Sequence, residues 1–270
     1  MTDASRSAPP FVRRLLAEFL GTALLVTVVV GSGVAAQQLS PTDTGLQLLE
    51  NSMATVFGLA VLIVMLGPIS GAHFNPVVSA VDWLLGRRRG TGMTGSSAGA
   101  YALVQIAGGI VGAVLANVMF DLSAFQLSTK QRITPGHVVG EVVATAGLIL
   151  LIFALARTGR AALSAAAVGA YIGAAYWFTS STSFANPAVT IGRIFSDTFA
   201  GIAPSSAPAF IAAQCFGGLI GLALVVVLYP DATATADNAV VPHGAGPARQ
   251  SADAAHPGDP DPRGDLPGPG

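Results

Sequence analysis

Charge is what this chain has least of. Only 10% of its 270 residues are Asp, Glu, Lys or Arg, while 52% are hydrophobic. That balance excludes an ordinary soluble domain and places the chain among polytopic membrane proteins. A formal net charge of −1 offers no basic surface, so no nucleic-acid partner is expected. Cysteine is nearly missing too. Cys215 stands alone, which excludes an internal disulfide and leaves it, by expectation, as a small buried apolar residue on a helix. Lys130 is the single lysine among 13 basic residues, an arginine excess that goes with GC-rich bacterial coding. No nucleophile–base pair and no metal-ligand cluster stands out, so neither an enzyme nor a cofactor is expected. No cleavable signal peptide is read either, because residues 1–10 are polar and the first apolar run is long enough to span.

What is present is length in apolar runs. Six segments, at about 12–36, 48–67, 97–120, 138–157, 161–180 and 208–229, approach the roughly 20 residues a spanning helix needs. Two shorter ones, about 75–85 and 186–199, follow the second and fifth spans. From Pro230 the chain turns to Ala, Asp, Pro and Gly, so 230–270 is expected to be a disordered tail and 1–10 a polar N-terminal one. Basic residues set the orientation. With the N-terminus inside, eight arginines (Arg6, Arg13, Arg14, Arg87, Arg88, Arg89, Arg157, Arg160) are cytoplasmic, against Lys130, Arg132 and Arg193 outside. The expectation is a multi-pass protein of a bacterial cytoplasmic membrane with both termini cytoplasmic.

The chain also repeats itself. Gln105, Gly108, Gly109 and Gly112 in span three match Gln214, Gly217, Gly218 and Gly221 in span six. Glu18 matches Glu141, and Asn75-Pro76 matches Asn186-Pro187. Each half, about 11–121 and 137–229, therefore holds three spans and one short segment. Three is odd, so the second half enters inverted, with sites forming at the repeat interface near the midplane. Small residues at matched positions let helices approach closely in lipid.

Asn caps helices well, and Pro at the first helical position loses no useful donor. Asn75-Pro76-Val77 and Asn186-Pro187-Ala188 thus each open a helix. The run Val77–Leu85 is too short to cross a bilayer and reads as a re-entrant half-helix. Irregular backbone at that depth is tolerated where it lines a cavity. The expected fold is an all-α membrane protein of six spans and two half-helices that meet N-terminus to N-terminus. The Asn75 and Asn186 amides then offer donors to a solute oxygen, and the helix N-termini repel cations. Such a site favours a small, neutral, oxygen-bearing solute.

With these residues in view, the chain resembles the major intrinsic protein family, the aquaporins and aquaglyceroporins, over about 11–229. Ala17-Glu18-Phe19-Leu20-Gly21-Thr22, the stretch Ser70 to Val77, Asn186-Pro187-Ala188 and the Gln-Gly-Gly repeats carry the likeness. The resemblance implies a homotetramer of independent pores with passive conduction. Val77 departs from the usual Ala of the first signature. Val189 stands where the family usually has a filter Arg, and Thr190 where glycerol channels usually carry Asp. By the same alignment Thr55, Ala174, Ser183 and Val189 are implied as the outer filter, which would be wide, uncharged and weakly polar. This pattern resembles the arsenic-resistance branch of bacterial channels. That likeness implies conduction of undissociated arsenous acid and of methylated arsenicals, beside polyols and water.

Four further residues have two readings each. Arg193 falls one turn beyond Val189, about 6 Å along the axis. It either supplies a cation at the outer mouth, or pairs with Asp197 or holds backbone. His73 either lines the cytoplasmic half of the pore, as the resemblance implies, or packs as a hydrogen-bonded side chain. Glu18 and Glu141 are ionisable groups within the membrane. They either relay protons or accept hydrogen bonds from the re-entrant loop of their own half, and their matched placement favours the second. The expected function is a passive channel, with metalloid hydroxides leading. A general glycerol and water facilitator is the alternative, and a proton-coupled carrier is the rival class.

Overall fold

The computed structural model describes residues 9–87 and 92–230. Most of the two expected tails, with Arg6, and also Arg88 and Arg89 lie outside the described residues. Among the described residues eight α-helices follow one another: α1 (Phe11–Leu39), α2 (Thr44–Ser70), α3 (Pro76–Arg87), α4 (Gly95–Met119), α5 (Pro135–Arg157), α6 (Ser164–Phe178), α7 (Pro187–Gly192) and α8 (Ala207–Leu228). Short 3-10 turns precede α6 (Ala161–Leu163) and follow α7 (Arg193–Phe195). Six of the helical segments are long and apolar enough to cross a membrane, and no strand occurs among the described residues.

Local chemistry starts and stops these helices. Asp43, Thr94 and Thr134 accept the amides of Leu46, Ser97 and His137, which caps α2, α4 and α5. Gly71, at φ 90°, ends α2 in the left-handed conformation that glycine adopts without a Cβ penalty.

Glycines then set how the helices pack. A Cβ on Gly108 or Gly112 of α4 would fall 2.4 Å from the Phe19 carbonyl oxygen or 2.1 Å from that of Ala23. In the second half, Gly217 and Gly221 of α8 bear the same relation to Val142 and Ala146 of α5, at 2.5 and 2.7 Å. So α4 lies against α1 and α8 against α5 at backbone contact. The middle glycines face the other repeat. Gly109 abuts the Ala188 carbonyl of α7, and Gly218 abuts Val77 of α3. Each short helix is thereby held by the third span of the opposite half.

Cys215 of α8, expected to be buried, is exposed, and one element is shorter than expected. The segment predicted over 186–199 is helical only to Gly192, tightens through Arg193–Phe195, and is extended at Ser196. The carbonyls that would continue the helix are taken elsewhere. Ile202 donates to Arg193 O at 3.2 Å and Ser128 to Ile194 O at 2.8 Å.

Candidate conduction pathway

The two Asn-Pro corners are built to one plan. Residues Gly71, Ala72 and Phe74 have positive φ, and so do Thr182, Ser183 and Ala185 at matching places. For a residue other than glycine this costs about 1–3 kcal/mol each and persists only where the surroundings enforce it. Here carboxylates enforce it. Glu18 accepts the amides of His73 (3.0 Å) and Phe74 (2.7 Å), the Gln105 side chain (2.7 Å) and the Ser70 hydroxyl (2.6 Å). Glu141 accepts the amides of Phe184 and Ala185, both at 2.8 Å, and the Gln214 side chain at 2.7 Å. Gln105 also reaches Ser79, and Gln214 reaches Thr190 in the same way. Each carboxylate thus spends its acceptors on the loop of its own half.

The corners close on each other. Asn75 caps α3 through the Val77 amide (2.9 Å) and donates to the Ala185 carbonyl at 2.8 Å. Asn186 caps α7 through the Ala188 and Val189 amides and donates to the Phe74 carbonyl at 2.7 Å. One N–H of each Asn amide joins the loops, and the second has no partner among the described residues. Pro76 and Pro187 sit at the first helical positions, where no donor is needed. Val77 and Ala188 lie just beneath, against Gly218 and Gly109.

A cavity runs past this clasp between the repeats. Two matched stripes supply much of its wall: Thr55, Leu59 and Ile63 on α2, and Val168, Ile172 and Tyr176 on α6. Leu25 and Val29 of α1 answer Leu148 and Ile152 of α5. Asn75, Asn186, His73, Ser183, Val189 and Arg193 also line it, and among the described residues no carboxylate does. Thr55 and Tyr176 share a hydrogen bond at 3.1 Å, while the Ser183 hydroxyl is buried with no partner among the described residues. His73 lines the cavity and is also bonded through Nδ1 to Ser79 at 3.0 Å, with its ring edge-on to Tyr101.

Three sequence expectations are corrected here. Ala174 is exposed and away from the cavity. It lies two residues from both Ile172 and Tyr176, so at about 100° per residue it points to the other side of α6. Tyr176 is the α6 residue that lines the cavity here, and it was missed. The signal for it was the four-residue spacing of Val168, Ile172 and Tyr176, mirroring that of α2. Arg193 does not pair with Asp197, whose carboxylate accepts from Thr129. Arg193 is buried in the cavity wall, donating through Nε to the Ala200 carbonyl with its guanidinium 3.5 Å from the centre of the Phe184 ring. The cavity wall, expected to be uncharged, therefore carries a guanidinium.

Six helices long and apolar enough to cross a membrane, and two half-helices meeting at a cavity between the repeats, are the architecture of a membrane channel. The comparisons agree. A family profile described as Major intrinsic protein matches residues 5–184, and the chain belongs to that family. It is 48% identical over 213 residues to Aquaglyceroporin AqpS of Rhizobium meliloti strain 1021, covering 79% of this chain and 88% of the relative. It is 33% identical to a Glycerol uptake facilitator protein of Pseudomonas aeruginosa over 136 residues, half of this chain and 46% of that one. The X-ray structure of the aquaglyceroporin from Plasmodium falciparum superposes with a TM-score of 0.59, at 20% identity, over 82% of this chain and 98% of the other. That likeness bears on the fold alone.

Proposed function

We propose that the protein is a passive channel for small uncharged hydroxylated solutes. Water and glycerol-like polyols pass through it, and undissociated metalloid hydroxides such as arsenous acid are the leading physiological substrate. Methylated arsenicals belong to the same class. The single observation that carries this reading is the crossed Asn75–Asn186 clasp set in a cavity without carboxylates. Spare amide donors there grip a neutral solute oxygen, and an apolar wall offers no foothold to an ion. Thr55, Ser183 and Val189 form the filter beside it, and His73 lines the path on the side of the first loop. The relatives named aquaglyceroporin and glycerol uptake facilitator support the polyol part. Glu18 and Glu141 are structural in this reading, since their oxygens are committed to loop amides. The chain works as a homotetramer in a bacterial inner membrane, with the N-terminus cytoplasmic.

Val189→Arg tests the substrate. A second guanidinium one turn from Arg193 narrows the same stretch of cavity. Arsenite and glycerol uptake into proteoliposomes should fall by about tenfold or more while water flux persists, since the lost width obstructs the bulkier solutes and about 1.4 kcal/mol of added barrier is tenfold. Unchanged arsenite uptake would remove Val189 from the filter.

A further inference from the structure

We propose that Tyr101 is a positioning residue of the conduction pathway. Its ring, set edge-on behind the His73 imidazole, fixes where that imidazole stands in the cavity and so the width left for solute. The proposal rests on the passive-channel reading above and adds the group that holds the first loop's side of the wall.

His73 lines the cavity although its side chain is buried. The bond between Nδ1 and the Ser79 hydroxyl, 3.0 Å long, holds the ring at one atom. The torsion that turns an imidazole about its stem is broad, so a bond at one edge still lets the plane rock. The Tyr101 ring limits that rocking. The two ring centres lie 5.5 Å apart with the planes at 66°, the edge-on arrangement that aromatic rings prefer.

Tyr101 is itself firmly held. It is fully buried on α4, enclosed by Met93 and Ala98 with Leu15 and Trp83. Its hydroxyl accepts from Arg14 Nε at 2.9 Å and donates to the Ser70 carbonyl at 3.0 Å. A fixed body thus stands behind a ring that could otherwise turn.

The repeat supports the assignment independently. With Asn75 matched to Asn186, His73 falls on Phe184, and with Gln105 matched to Gln214, Tyr101 falls on Phe210. Those two rings are also edge-on, 5.2 Å apart at 73°, and both are buried. In each half the third span sets an aromatic wedge behind the same loop position. Phe210 has no hydroxyl, so the edge of the ring, and not the bond to Ser70, is what the two halves share.

The test uses the full chain in proteoliposomes, reading glycerol and water permeability by stopped-flow light scattering. Tyr101→Leu removes the edge and lets the imidazole swing across the path, where it obstructs glycerol more than water. The glycerol-to-water ratio should fall about fivefold, within the range an aromatic edge contact is worth. Tyr101→Phe, which makes this site a copy of the matched one, should stay within about twofold of wild type because it keeps the edge. A tyrosine that served the fold alone would act whether or not His73 were present. In a His73→Ala background Tyr101→Leu should therefore change nothing further, since no imidazole is left to place. Phe210→Leu, which acts on Phe184, should shift the ratio by the same factor in both backgrounds.

A wild-type ratio in Tyr101→Leu overturns the proposal. So does the same fall in the His73→Ala background, or a Phe210→Leu effect that His73→Ala also abolishes, because the coupling would then belong to the fold at large. A Tyr101→Phe protein as impaired as Tyr101→Leu overturns it too, since the hydroxyl tether rather than the ring edge would be at work. Should Tyr101→Leu not fold, Tyr101→Met keeps the bulk without the flat edge, and a wild-type ratio there overturns the proposal instead. A wild-type protein passing neither water nor glycerol above empty liposomes ends the parent reading. A conducting wild type with indifferent variants ends only this one.

Discussion

Around Asn75 the loop is tied by four bonds to Glu18, and around Asn186 by three to Glu141, because Ser70 donates to its carboxylate while no such bond joins Ser181 to Glu141. Beyond these tips the halves part further. The first tip is followed by the 12 residues of α3, the second by only 6 in α7 before the chain tightens toward Arg193. The first loop gives the cavity an imidazole, His73, and the turn behind the second gives it a guanidinium. The comparison separates two demands. Crossing the Asn amides at mid-cavity needs the same strained backbone twice, so the tips are near copies. What flanks each tip is free to differ, and there the two halves line the cavity with different side chains.

Three sets of substitutions sharpen or break that comparison. Glu18→Ala and Glu141→Ala strip each loop of its acceptors, at about 1–3 kcal/mol per orphaned group. Both should lose most folded protein, read as the monodisperse fraction in size-exclusion chromatography. Glu18→Ala should be the worse by about 1 kcal/mol, for the Ser70 hydroxyl. A more severe Glu141→Ala would invert the ranking of the two tips.

A smaller effect is expected at the middle glycines. Gly109→Ala drives a methyl to 2.6 Å from the Ala188 carbonyl, whereas Gly218→Ala meets only the Val77 side chain at 2.4 Å. Backbone cannot yield as a side chain can, so Gly109→Ala should cost about 1–3 kcal/mol and Gly218→Ala less. Val77→Ala should restore the Tm of Gly218→Ala and do nothing for Gly109→Ala. Equal Tm losses in both, without rescue, would mean that the short helices are not gripped as described.

The smallest effect lies outside the spans. Burial first, then Arg132 and Arg193, push Lys130 down from 10.5 to about 8. Its folded pKa is thus below its unfolded one, and the charged form opposes folding. Between about pH 8 and 10.5 the unfolded chain binds the extra proton, so stability rises with pH through that window. The Tm of the wild type should climb there relative to Lys130→Gln. Parallel pH profiles for the two proteins would show Lys130 to be relaxed in the fold.

Much of this was legible in the residues, for reasons of period and symmetry. Apolar runs of spanning length and the matched Glu, Asn-Pro and Gln-Gly-Gly positions are local patterns, and one chain carries them twice. What escaped was the phase of α6 and the end of α7. Val168 to Tyr176 is apolar on every side, so nothing in that run marks Ala174 as outward and Tyr176 as inward until α2 is laid against it. The end of α7 depends on Ser128 and Ile202, which compete for its carbonyls from distant positions in the chain. The same folding-back sends Arg193 to Ala200 O and leaves Asp197 to Thr129.

The most direct test of the central claim, that solute slips through a fixed path between two crossed Asn amides, is glycerol flux in proteoliposomes with and without an imposed proton gradient. A flux that follows the glycerol gradient alone, equal under either sign of ΔpH and with an activation energy below that of bare liposomes, is the predicted result. Glycerol movement that reverses or stops with the proton gradient would contradict it and make Glu18 or Glu141 the working part of a carrier.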